Sequence, residues 1–167
     1  FIKATTQVRT QFQFNSDTNN NYSNRNSANG ADPDTTNTSQ PKIYLNDLDR
    51  SSDCCFEANI INVSDKEKLV IYEDIWQNAT GSGSSSIPMR TETTGKWTKT
   101  DQQITSIQLL NDRSGDFLAG SYITVFGASS DVVTDEKQTL ADATRTELAT
   151  ATTTLDLSSA SQTGTAD

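Results

Sequence analysis

At 167 residues the chain has the length of about one domain, and only 32% of it is apolar, so any core it builds is small. Its 22 acidic residues outnumber its 13 basic ones and leave a net charge of -9, a surface that repels nucleic-acid phosphate and anionic lipid. No apolar run approaches the roughly 18 residues of a membrane-spanning helix, so neither a membrane span nor a nucleic-acid partner is expected.

The chain opens on Phe1 and shows no leader, which suggests a processed product or part of a longer protein. From Ile2 to Phe14, Val8, Phe12 and Phe14 alternate with Gln7, Arg9, Gln11 and Gln13, the pattern of a strand with one buried and one wet face. Residues 15–40 lack apolar periodicity and read as a long polar loop with an Asn29-Gly30 turn, Tyr22 being its one anchor into the core. Short strands follow at Lys42–Leu48, Cys54–Val63 and Leu69–Trp76, then a Gly/Ser-rich tip at 77–86. Ile87–Trp97 reads as an edge strand because Pro88 stands near its start.

The most apolar stretch is Ile104–Gly127. Ile104, Ile107, Leu109 and Leu110 supply one strand, Tyr122–Phe126 another, and NDRSG between them holds turn-forming residues. It is expected to form the closing hairpin of a β-sandwich. Beyond Gly127, Thr134 followed by Asp135 and Glu136 has the composition of a helix start, and Leu140, Ala143, Thr144, Glu147 and Leu148 follow at helical spacing. A thin helix over 134–150 is expected, then a Thr-rich tail whose TTTLDLS segment could serve as a strand borrowed by a neighbour. The expected fold class is all-β: an antiparallel, jelly-roll-like sandwich over 1–128, with 129–167 as a helix and tail for oligomer or anchor contacts through Leu140, Leu148, Leu155 and Leu157.

Chemistry is sparse. There is no histidine, hence no Ser-His-Asp triad and no imidazole metal ligand. Adjacent Cys54 and Cys55 point to opposite faces of a strand, which predicts one buried and one less buried thiol, a strained vicinal disulfide being the rarer arrangement. Glu73 and Asp74, also neighbours on a strand, diverge and cannot act as a glycosidase pair, so a solvated strand surface is the expectation. No catalytic residue is assigned, and the chain is not expected to be an enzyme.

Asp17, Asn19 and Asn21 have the alternate spacing of a calcium loop's opening, with Asp32 and Asp34 nearby. Tyr22 stands where glycine belongs, however, and Ala28 where the closing glutamate belongs. The alternative is an Asn-rich loop tied by its own side-chain bonds, so no cofactor beyond a structural Ca2+ is considered. Tyr22 and Trp97 are the candidates for an aromatic glycan platform, against the commoner fate of core packing. Sequons stand at Asn21, Asn37, Asn62 and Asn78.

Three segments carry a resemblance. FNSDTNNNYSNR (Phe14–Arg25) with Asn29-Gly30, then a tryptophan ahead of ITSIQL (Trp97 to Leu109), then F-x-AGSYITVFG (Phe117–Gly127) resemble a group of tailed-virus virion proteins of phage and archaeal-virus type. The resemblance covers about Val8–Gly127. Further strands that the family carries ahead of the position of Phe1 are missing, and the tail after Gly127 departs from its pattern. It implies a capsid decoration, turret or fibre subunit on the virion surface, assembled as a homo-oligomer (trimer first, pentamer second) on other virion proteins. The alternatives are a carbohydrate-binding receptor-recognition module, with a host-surface glycan as partner, and a subunit of an extracellular filament or cell surface.

Overall fold

Period-two alternation is plainest at Lys68–Trp76, where every second side chain is buried, and eleven strands appear among the described residues. The computed structural model describes residues 1–4, 7–46, 53–77, 79–127, 144–148 and 152–156. The strands are β1 Thr10–Phe14, β2 Tyr22–Ala28, β3 Thr35–Gln40, β4 Ile43–Tyr44, β5 Cys54–Ile61, β6 Lys68–Trp76, β7 Met89–Trp97, β8 Ser106–Asn111, β9 Ser121–Val125, β10 Thr144–Leu148 and β11 Thr152–Asp156. They form an antiparallel β-sandwich, the expected fold class. One sheet has the order β3-β2-β7-β6-β5; opposite it stand β11-β8-β1-β4 and a β10-β9 pair.

Aromatic rings from both layers fill the core. Phe12 of β1 meets Tyr72 of β6 edge-on at 6.3 Å, and Phe14 contacts Tyr22 at 6.1 Å and Trp97 at 5.9 Å. Val70, Ile43, Leu45, Ile107 and Leu109 complete the packing.

Several expectations are corrected. Residues 15–40 are no loop: they hold the β2–β3 hairpin around Asn29-Gly30, with Asn29 and Gly30 both at positive φ. Apolar periodicity misses β2 because its inward residues after Tyr22 are Asn24 and Asn26, both buried. Asn24 accepts from the Tyr44 amide at 3.2 Å, while Asn26 donates to the Tyr44 carbonyl at 2.9 Å and to Thr93 Oγ1 at 2.7 Å. Polar inward positions thus stitch β2 to β4 across the layers.

β7 is central, between β2 and β6, and Pro88 lies just ahead of it. β1 has no wet face, since Gln11 and Gln13 are buried along with Phe12 and Phe14. Gln13 donates to the Pro41 carbonyl at 3.2 Å. The expected 104–127 hairpin is absent: β8 pairs with β1 and β11, whereas β9 pairs with β10. The connection between them is too long for a hairpin turn and buries Phe117, and its Asp112 is held by Arg9 through two bonds of 3.0 and 2.6 Å.

The C-terminal expectation also changes. Thr144–Leu148 is strand, not helix, and lies antiparallel to β9. Thr152–Asp156, expected as a strand borrowed by a neighbour, pairs here with β8 of its own chain. β-branched Thr at 144, 146 and 152–154 favours strand over the helical spacing that suggested otherwise. The remaining helix positions, 134–143 and 149–150, lie outside the described residues.

The two layers approach closely at Gly95. A Cβ there would stand 2.9 Å from Ile43 Cγ2 and 3.2 Å from Ile43 Cδ1, and Ile43 is itself fully buried. Gly95→Ala is therefore expected to cost about 1–3 kcal/mol, read as a lower denaturant midpoint at unchanged slope. A variant as stable as the parent would show that Ile43 has room to move.

Candidate functional site

The segment Phe14–Tyr22 leaves β1, turns, and enters β2. Asn15 and Ser16 adopt positive φ, which makes the reversal compact. Asn15 then spans to the strand entry beyond Trp97: its Oδ1 accepts from the amides of Thr105 at 2.8 Å and Ser106 at 3.1 Å, and its Nδ2 donates to the Gln103 carbonyl at 2.8 Å.

Asp17 is the hub of the turn. Its Oδ1 accepts from the Asn19 amide at 3.0 Å and Asn19 Nδ2 at 2.8 Å; its Oδ2 accepts from Asn21 Nδ2 at 2.7 Å and Trp97 Nε1 at 2.8 Å. Burial pushes its pKa up, but the bonds from Asn21, Trp97 and Asn19 outweigh that and hold the carboxyl at about 2. Tyr22 closes the turn from inside, its hydroxyl donating to the Phe14 carbonyl at 3.1 Å and accepting from the Phe14 amide at 3.0 Å. Burial raises its pKa.

These contacts answer three expectations. Asp17, Asn19 and Asn21 do come together, but both Asp17 oxygens face N–H donors, which is the arrangement of a self-tied loop. Asp34 instead lies 3.4 Å from Arg25, and Asp32 is exposed at the other end of β2. Among the described residues no cluster of three or more Asp, Glu, Cys or His is placed to hold a metal ion.

Tyr22 and Trp97 offer no face to a sugar. They are 1% and 0% exposed and stack on each other at 6.2 Å and 16°. The glycan platform is corrected to core packing, because both rings sit at inward positions of strands covered by β1. Sequon residue Asn62 brackets Ile104, donating to its carbonyl at 3.0 Å and accepting from its amide at 2.8 Å.

Glu73 is exposed, but Asp74 is buried and accepts from the Tyr72 hydroxyl and the Thr91 amide, so the pair is only half the solvated surface expected of it. Of the oligomer candidates, Leu148 lies in β10 opposite Ser121 and Leu155 in β11 opposite Ile107; Leu140 and Leu157 are outside the described residues.

Alternation along the chain did not single out one surface. On the outer face of β5 and β6, Ile61, Leu69, Ile71 and Ile75 are 46–57% exposed. Register sets them in rows, Ile61 beside Leu69 beside Lys96, and Asn59 beside Ile71 beside Thr94. A row of Glu57, Glu73 and Glu92 interrupts them. A shallow groove of about 650 Å³ lined by Phe1, Cys55, Ile75 and Ile87 ends this face. The signal lay in the sequence, since both registers of LVIYEDIW carry large apolar residues.

Cys54 is buried and Cys55 exposed, both as free thiols, matching the strand-alternation argument. Under native conditions a thiol reagent should label one cysteine per chain rapidly, and peptide mapping should place it at Cys55. Equal labelling of both would contradict the assigned facing of β5.

Comparison with protein-family models, characterised proteins and solved structures yields no match. The functional argument therefore rests on this chain's own residues. At Asn15, Asp17, Tyr22 and Trp97 those residues are ties between strands.

Proposed function

We propose that this chain is a structural subunit that acts by assembly, on the outside of a virion as a capsid decoration, turret or fibre component. The observation that carries the assembly part is the uncovered apolar face of β5 and β6, since an apolar patch of this kind marks a protein-contact surface. The virion setting draws on the resemblance of the Phe14–Arg25, Trp97–Leu109 and Phe117–Gly127 segments. In support, the residues that carry those motifs here are joints: Asn15 ties β1 to β8, Asp17 ties the turn to Trp97, and the Ser121 amide closes a turn by donating to the Leu118 carbonyl at 3.0 Å. Architectural residues recurring without a reactive group fit a building block better than an enzyme.

The carbohydrate-binding alternative loses Tyr22 and Trp97, the residues it relied on. The filament-subunit alternative keeps one observation in its favour: among the described residues β5 stands at the edge of its sheet, paired on its outer side by Ile2 at Cys54. Sedimentation over a concentration series tests self-assembly. Wild type is expected to form a discrete oligomer, a trimer first and a pentamer second, and Ile71→Lys to shift it toward monomer without lowering the melting temperature. A wild-type chain that stays monomeric throughout would remove self-association from the account.

A further inference from the structure

The outward side chains along β6 run Glu67, Leu69, Ile71, Glu73 and Ile75, with Glu67 standing just ahead of the strand. Antiparallel β7 sets beside them, in the same order, Thr98, Lys96, Thr94, Glu92 and Arg90, with Thr98 just past the strand's end. All of these are exposed or half-exposed. Row by row, the charges are therefore negative, positive, none, negative, positive. The uncharged row, Ile71 with Thr94, lies at the centre, and Asn59 extends it on β5. Farther out on that row, Arg25 of β2 already has Asp34 at 3.4 Å.

This order is antisymmetric about Ile71. Turned end for end, each charged row falls on one of opposite sign. Lys96 falls on Glu92, with Glu73 one strand spacing of about 5 Å to the side, and the Arg90 row falls on the Glu67 row. A surface that pairs with itself about a two-fold axis needs this property, since residue i meets j and j meets i. Within one chain the same charges are matched only at the exposed surface. Lys96 reaches Glu67 at 2.8 Å and Arg90 lies 3.4 Å from Glu92, while Glu73 has no ion pair among the described residues. Glu57, Glu73 and Glu92 stand side by side on three adjacent strands, where like charges repel. A lysine brought in from outside relieves that repulsion.

The apolar residues fit the same axis. Ile71, 52% exposed, meets its own counterpart there, and Leu69 and Ile61 lie one row away. Other placements fail. An axis across the glutamate row sets Glu57, Glu73 and Glu92 against themselves, and one across the Leu69 row sets Lys96 against itself. An axis along the strands keeps every row on itself and again puts glutamate on glutamate.

We infer that the outer face of β5, β6 and β7 is a two-fold interface between two copies of this chain. Ile71 stands at the axis, Lys96 of each copy lies on Glu92 and Glu73 of the other, and Arg90 of each points toward Glu67 of the other. This contact rests on the assembly reading and narrows it. A two-fold contact closes on two copies, so a trimer or pentamer needs a further surface of its own.

Sedimentation of the full chain and of two charge variants tests the pairing. Wild type is expected to show a dimer as its first species above monomer. Lys96→Glu sets glutamate against Glu92 twice in each pair, and Glu92→Lys sets lysine against Lys96 twice. Each variant alone is expected to raise the dimer dissociation constant by about tenfold or more. The melting temperature should not change, because both side chains are nearly half exposed and surface ion pairs contribute little. Mixed in equal amounts, the two variants should form a heterodimer within about threefold of wild-type affinity, since every facing pair is again of opposite sign. Single variants that dimerise like wild type, or a mixture that stays monomeric, would overturn the inference. A trimer or pentamer that forms without a dimer and is dissolved by Ile71→Lys would overturn the two-fold contact and keep the assembly reading. A wild type that stays monomeric at millimolar concentration would end both this pairing and self-association.

Discussion

Trp97→Ala is expected to destabilise the sandwich by about 3–5 kcal/mol, a large share of the roughly 5–15 kcal/mol that holds a domain folded. The indole is fully buried where the two layers meet, stacked on Tyr22 at 6.2 Å and tilted against Phe14 at 5.9 Å. Truncation leaves a void between rings that belong to different strands and cannot collapse together. It also leaves Asp17 without the donor at 2.8 Å. Trp97→Phe partly separates the two effects, because it keeps a ring in the stack while deleting the N–H and only part of the indole's volume. Chemical denaturation should rank the three proteins wild type, Phe, Ala. An alanine variant within about 1 kcal/mol of the parent would show that the core is organised elsewhere, given that large core truncations normally cost several times that.

The second large effect belongs to Asp17. Asp17→Ala strands a buried indole N–H and releases the Asn19 and Asn21 side chains, for an expected loss of about 1–3 kcal/mol. In the Trp97→Phe background the same substitution should cost less, since the stranded donor is already gone, and a double-mutant cycle measures that coupling. Acid provides an independent check. The carboxyl is held at about 2 in the folded chain against an ordinary 3.8, so its contribution is fully present above about pH 4 and is lost as pH falls toward 2. Wild type should lose stability over that window, and Asp17→Ala should lose less. The carboxyl is partly solvated, so the pH-dependent part is smaller than the full cost of the substitution. Parallel acid profiles would show that Asp17 has no special partner in the fold.

The sandwich was legible because strands such as β6 alternate without interruption, and alternation is what a sheet with one covered face requires. The divergent fates of Cys54 and Cys55 followed from the same geometry, whereas Tyr22 was visible as a core anchor because it is the one aromatic residue in a polar stretch. The β2–β3 hairpin was not legible because its inward positions are asparagines whose partners, Tyr44 and Thr93, are distant in sequence. The pairing of β8 and β9 was misjudged for a related reason: neighbours in sequence joined by turn-forming residues suggest a hairpin, while the choice of partners is made by β1, β10 and β11.

In the candidate site, the FNSD loop and the tryptophan were visible as separate motifs. Their meeting at Asp17 depends on a hydrogen bond across 80 positions, which no local pattern encodes. The uncovered face of β5 and β6 left a signal in the apolar residues of both registers of LVIYEDIW, but an apolar residue at an outward position looks the same in sequence as one at an inward position. Only the register against β7 shows which of the two alternating sets is left outside.

The setting of this assembly is tested most directly by electron microscopy of intact particles from the source culture, labelled with gold-tagged antibodies raised against the folded chain. The account predicts label on the particle exterior, in a regular arrangement matching the oligomer found by sedimentation. Label confined to soluble material, with particles bare, would contradict it.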